Sequence, residues 1–166
     1  LTIVPDNSLT RIEGNNIYLD LESTDLTSIS NTNLNKWINR LDNAYEAYED
    51  LVGFTPYNGE KMGILSTHYY PGGWAVAGNP IKWHQIYVSP ELANINNNDD
   101  WSFGILHEIS HNFDIEGWNF NDEFWANTKM YFIVEALNAK VKSNYIGAGL
   151  AEYYRNDCQD SYTKTI

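Results

Sequence analysis

The segment His107-Glu108-Ile109-Ser110-His111 constrains this chain more than any other stretch. Its two histidines act together only on a helix, where positions four apart share one face. A helix here would aim both imidazoles at one point and set Glu108 beside it. Two neutral ring nitrogens at that spacing suit Zn2+, and the adjacent carboxylate can take a proton from metal-bound water. The chain has four histidines, and two of them fall in this pattern. The plain alternative is a chance pair on a solvated helix face.

Catalytic zinc commonly takes three protein ligands and leaves one position open. A metzincin would continue with Gly at 114 and His at 117. The chain has Asp114 and Gly117, which excludes that class. The alternative is a carboxylate on a following helix, with Glu123 the preferred third ligand; a centre with no third protein ligand stays open. The stretch 112–122 contains Gly117 and Asn121, enough to end one helix and start another. Glu116 and Asp122 are rivals. Glu116 falls in the turn leaving the first helix. Asp122 would point about 100° away from Glu123 on a shared helix and suits an N-terminal cap. Metal-bound histidines usually donate their second ring N–H to an acceptor. Asn127, one turn after Glu123, can offer an oxygen; Asp114 and Asn112 are other candidates, and each is also readable as plain surface polarity.

These residues resemble the enhancin-like, mucin-targeting gluzincin metallopeptidases. The resemblance rests on His107-Glu108-Ile109-Ser110-His111-Asn112, then Trp118, then Glu123 with Asn127. Upstream, Gly72-Gly73-Trp74 and Gly78-Asn79-Pro80-Ile81 resemble the family's glycine-rich and Gly-Tyr-Pro-Ile-like segments, so the likeness spans about residues 70 to 130. Ser110 stands where the family usually has Gly, Asp114 near a usual Gln, and Phe124-Trp125-Ala126 replaces a Val-Thr-Asn run. None of these departures touches a proposed ligand. The resemblance implies zinc, a secreted or cell-surface location, and cleavage of protein or mucin-type glycoprotein substrates. Catalytic parts of this family usually continue further beyond the third ligand. The chain, which starts at Leu1, therefore reads as a processed protein or a piece of a longer one.

The fold expected is α/β (α+β): a zincin-like metallopeptidase domain with a small mixed sheet packed on long helices, the metal-binding helix among them. With 166 residues, 43% of them hydrophobic, one domain over 1–166 with a real core is expected, acting as a monomer. The formal charge of −12 argues against nucleic acid and anionic membranes, both of which select Lys and Arg. No apolar run approaches the ~20 residues that span a bilayer. Cys158 is alone, so no intrachain disulfide can form.

Along the chain, Ile17–Leu21 alternates like a strand, and 22–33 reads as a loop. Leu34, Trp37, Ile38, Leu41, Tyr45, Tyr48, Leu51 and Val52 recur at helical spacing up to Gly53. Strands are expected at Lys61–Ser66, Trp74–Ala77 and Gln85–Ser89. The Asn/Asp run 96–100 reads as a loop capping a helix from about Trp101 to Asn112, with Phe103, Leu106 and Ile109 in the core. A last long helix is expected from about Asp122 to Val141, and a short one around Leu150–Arg155. In a zincin an edge strand before the metal helix holds extended substrate by backbone pairing; Trp74–Ala77 is the candidate, with Trp74 a substrate contact.

The expected chemistry is peptide hydrolysis by metal-activated water, with Glu108 as general base. His84, Tyr87, Tyr70 and Tyr131 could each supply an oxyanion donor, but each reads more readily as structural; His68 reads as a turn histidine. The alternative from a different class is a catalytically weak zincin-fold module that binds glycans or peptides through Tyr69, Tyr70 and Trp74. A structural zinc site would close four ligands, often with Cys, and Cys158 is far from the motif.

Overall fold

Period-two burial on three central strands builds the sheet. The computed structural model describes residues 9–69, 73–115, 117 and 122–141. Strand β1 (Leu9–Glu13) pairs antiparallel with β2 (Ile17–Glu22), and β2 runs parallel to β3 (Met62–Thr67). β4 (Ala75–Val76) and β5 (Ile81–His84) form an antiparallel pair, and β5 runs parallel to β3. The sheet order is β1-β2-β3-β5-β4, so the short β4 forms one edge. Ile17, Leu19, Leu21, Met62, Ile64, Ile81 and Trp83 are fully buried; they are the alternate positions of three adjacent strands and share one face.

Helix α1 (Asn31–Val52) covers that face. Ser30 caps its start by accepting from the Asn33 N–H (3.2 Å). Gly53 ends it at φ 77°, a left-handed conformation that favours glycine. Its buried stripe includes Trp37, Leu41, Tyr45 and Tyr48, as the helical spacing predicts, but Leu51 is 45% exposed. The stripe also contains a carboxylate. Asp42 is buried because the backbone N–H groups of Asn15, Asn16 and Ile17 all donate to it (2.7–3.0 Å), tying the β1–β2 turn to the helix.

Several expectations need correction. β1 has no counterpart among the expected strands, since its LTRIE sequence is half exposed and polar. The expected strand at Gln85–Ser89 is helical: the alternation lies earlier, in Ile81–His84, and Gln85–Tyr87 is a 3-10 turn leading into α2 (Val88–Asn98). Val88, Glu91, Leu92 and Ile95 form the buried side of α2, and Pro90 sits in its first turn, where no helical N–H bond is lost. The asparagines at 96–98 therefore belong to a helix, and Asp99 closes it at φ 57°.

Helix α3 (Phe103–His111) carries the histidine motif. Its cap is Ser102, whose side chain accepts from the Ile105 N–H, rather than the Asn/Asp run. Ile105, Leu106 and Ile109 are buried, whereas Phe103 is only half-buried. Helix α4 (Asp122–Ala136) packs against α3 and ends earlier than the expected Val141. Buried residues of α1, α2, α3, α4 and the sheet form one continuous core. No helix among the described residues is long and apolar enough to cross a membrane. The short helix expected around Leu150–Arg155 lies outside the described residues.

Candidate metal centre

Helix α3 presents His107 and His111 on one face, one turn apart. Their Nε2 atoms lie 3.1 Å from each other. Glu123, in the first turn of α4, reaches both: Oε2 is 3.0 Å from His107 Nε2, and Oε1 is 3.5 Å from His111 Nε2. The three side chains form a group able to hold a metal ion. A tetrahedral ion with bonds of ~2.0–2.1 Å has donor–donor edges of about 3.3 Å, close to the three separations here.

The protons of the two rings point the same way. Asn127 Oδ1 lies 3.0 Å from His107 Nδ1, and an amide oxygen only accepts, so Nδ1 carries the proton. Asp114 Oδ2 lies 3.4 Å from His111 Nδ1, and a carboxylate likewise only accepts. Burial, and then the neighbouring His111, lowers the His107 pKa, so that ring is neutral. The His107 ring thus turns an Nε2 lone pair toward His111 Nε2 and toward the Glu123 carboxylate. Facing lone pairs repel, and a cation between them resolves the conflict. The donor set of two imidazoles and one carboxylate fits zinc.

Several contacts hold α3 and α4 in this register. The buried Ser110 hydroxyl donates to the Ala126 carbonyl on α4 (2.8 Å). Lys129 Nζ donates to Asp114 Oδ1. From behind, the buried Tyr48 hydroxyl of α1 donates to the Leu106 carbonyl (3.0 Å). Phe103 stacks on the His107 ring at 5.9 Å and 15°. Glu123 itself is exposed, at 67% of its side chain, while the two histidines are at 13% and 15%, so the group opens to solvent on the carboxylate side.

Glu108 lies beside the group. Burial pushes its carboxyl up to about 7; the Ala77 backbone and the charge of His111 pull the other way. Ala77 directly follows edge strand β4. The next residue, Gly78, is gripped at both backbone groups by Asn112. Its N–H donates to Asn112 Oδ1 (2.8 Å), and its carbonyl accepts from Asn112 Nδ2 (3.0 Å). The Tyr57 hydroxyl donates to the same Oδ1 (2.7 Å). Asn112 therefore serves the edge strand, not a histidine.

A family model described as Peptidase M60, enhancin and enhancin-like, matches residues 5–149. The chain belongs to the enhancin-like peptidase family. This enhancin-like chain also superposes on a crystal structure of a functionally unknown conserved protein mutant from Bacillus anthracis str. Ames, with a TM-score of 0.64 at 13% identity. The match covers 95% of this chain and 33% of that one, so the enhancin-like chain spans about a third of that protein's length. At that identity the likeness concerns the fold alone. No curated protein matches the chain.

The remaining residues singled out in the enhancin-like chain scatter. His68 pairs with Glu22, at the far ends of β3 and β2. His84 and the exposed Tyr87 meet edge to face at 5.6 Å. Asp122 opens α4 and stands outside the candidate metal-holding group. Trp74 is half-buried, its ring between Trp83 (5.2 Å) and Gly104 of α3. Tyr69 is 65% exposed, and Tyr131 is half-buried on α4. Tyr70, Glu116, Trp118 and Cys158 lie outside the described residues. Sequence reasoning missed Tyr57, Lys129 and the Ser110 contact. A lysine directly ahead of the run Met130–Val134 was the one available signal.

Proposed function

We propose that this chain is a zinc metalloendopeptidase of the gluzincin type. His107, His111 and Glu123 would hold the metal, and Glu108 would serve as general base. The carrying observation is the convergence of two Nε2 atoms and a carboxylate at tetrahedral-edge distances, with Glu108 alongside. When bound, zinc supplies Lewis acidity, lowering the pKa of water towards ~7 and polarising a carbonyl.

The chain's own groups do the proton work. Glu108 accepts the proton of the attacking water and passes it to the leaving amine. Its carboxyl, already near neutrality through burial, is suited to both steps. The Nδ1–H contacts with Asn127 and Asp114 keep the ligand lone pairs outward. Edge strand β4 is the candidate for pairing with an extended substrate backbone, and Trp74 flanks it. The substrates proposed are proteins, in particular mucin-type glycoproteins outside the cell; membership of a peptidase family and the resemblance noted above support this.

The test measures zinc content and cleavage of a glycosylated mucin and of casein, by wild type and Glu108→Gln. We expect about one zinc per chain in both proteins and cleavage by wild type alone. Full activity in the Gln variant would overturn the mechanism. Zinc without cleavage would favour the glycan- or peptide-binding module.

A further inference from the structure

A buried cation stands behind the candidate centre. Lys129 of α4 is 3% exposed, and its Nζ donates to Asp114 Oδ1. The second carboxylate oxygen, Asp114 Oδ2, faces His111 Nδ1 at 3.4 Å. Asp114 lies in the turn that closes α3, where its own N–H donates to the His111 carbonyl (3.1 Å).

Lysine is among the residues least often buried, and an ammonium out of water needs a charged partner. Asp114 is that partner, but it is itself 34% exposed. A carboxylate at such a rim can rotate and hydrate. Anchoring one oxygen on an immobile ammonium removes that freedom and aims the other oxygen at the imidazole. His107 is served differently, by the neutral amide of Asn127 on the same helix. At Nδ1 the two histidines therefore depend on α4 through separate contacts, and of these two only the His111 contact passes through a charge pair.

We propose that Lys129 is a positioning residue for the metal centre. By fixing Asp114 it keeps the His111 proton on Nδ1 and the Nε2 lone pair turned toward His107 and Glu123. The effect on metal affinity rests on the zinc reading above; the effect on the His111 tautomer does not.

The experiment compares wild type, Lys129→Met, Asp114→Asn and the double variant. Nitrogen-15 NMR of the metal-free proteins, at about pH 8 where imidazoles are neutral, reports the His111 tautomer. Competition with a chelator reports zinc affinity. In wild type His111 should be the Nδ1–H form. In Lys129→Met that preference should relax, and zinc affinity should fall about 10-fold, as for other lost outer partners. In the Asp114→Asn background the lysine substitution should change neither readout. An unchanged tautomer in Lys129→Met would overturn the proposal. So would an equal loss of affinity in both backgrounds, which marks Lys129 as a packing residue only. If wild type binds no zinc, the zinc reading falls while the tautomer comparison still decides the role of Lys129. Should Lys129→Met not fold, the double variant is compared directly with Asp114→Asn, and a difference between them overturns the proposal.

Discussion

Glu108 is held where its two protonation states are nearly balanced. The carboxyl ordinarily titrates at 4.5, and burial raises it to about 7. With the folded pKa above the unfolded one, the contribution of Glu108 to the metal-free fold is complete below about pH 4.5. It is lost as the pH rises through about 7. A glutamine there has no proton to lose. Metal-free Glu108→Gln should therefore gain stability on wild type between pH 5 and pH 8, by on the order of 3 kcal/mol at most. Urea unfolding in EDTA at both pH values measures it, and a pH-independent gap would show that the carboxyl is not desolvated. That Glu123 meets both histidines depends on α4 docking on α3. The pairs His107/His111 and Glu123/Asn127 were each legible in the sequence, because helical periodicity is local. The Lys129–Asp114 contact was not, because it exists only once α4 docks on α3.

At the scale of elements, the edge strand is held to the metal helix by shape as well as by hydrogen bonds. Trp74 lies over Gly104 so closely that a Cβ at 104 would meet its ring at 2.5 Å. Trp83 backs the ring on another side. Gly104→Ala should cost about 1–3 kcal/mol through overpacking, read by urea unfolding, with a shift in tryptophan emission as the ring moves. Unchanged stability and emission would mean that Trp74 swings away freely. Most elements could be read from periodicity, which is why β2, β3, α1 and α3 fall within a few residues of expectation. The 85–98 stretch defeated that reading. Its asparagines mimic a loop, while the burial of Val88, Leu92 and Ile95 depends on packing beside the 3-10 turn Asp25–Ser28 and α1. β1 was hidden for a related reason: its outer, half-exposed position leaves no alternation to detect.

Across the whole molecule, the proposed ligands come from two helices that one core holds together, so metal binding there would be linked to folding. Zinc that binds only the folded chain stabilises it by about 2.7 kcal/mol at 100 times its dissociation constant. Thermal unfolding should therefore shift upward with added zinc in wild type and not in His107→Ala. Equal shifts in both would place the metal elsewhere. The amino-acid order alone was enough to expect α3 as a helix with two imidazoles and a carboxylate on it, to favour a third carboxylate on a later helix, and to see a resemblance to enhancin-like peptidases. Those are matters of spacing along the chain. Tertiary structure alone decided that Asp42 serves the β1–β2 turn, that Asn112 grips Gly78, and that Lys129 lies behind Asp114. Each joins residues from different elements, and burial in a shared core is what makes those polar groups seek each other.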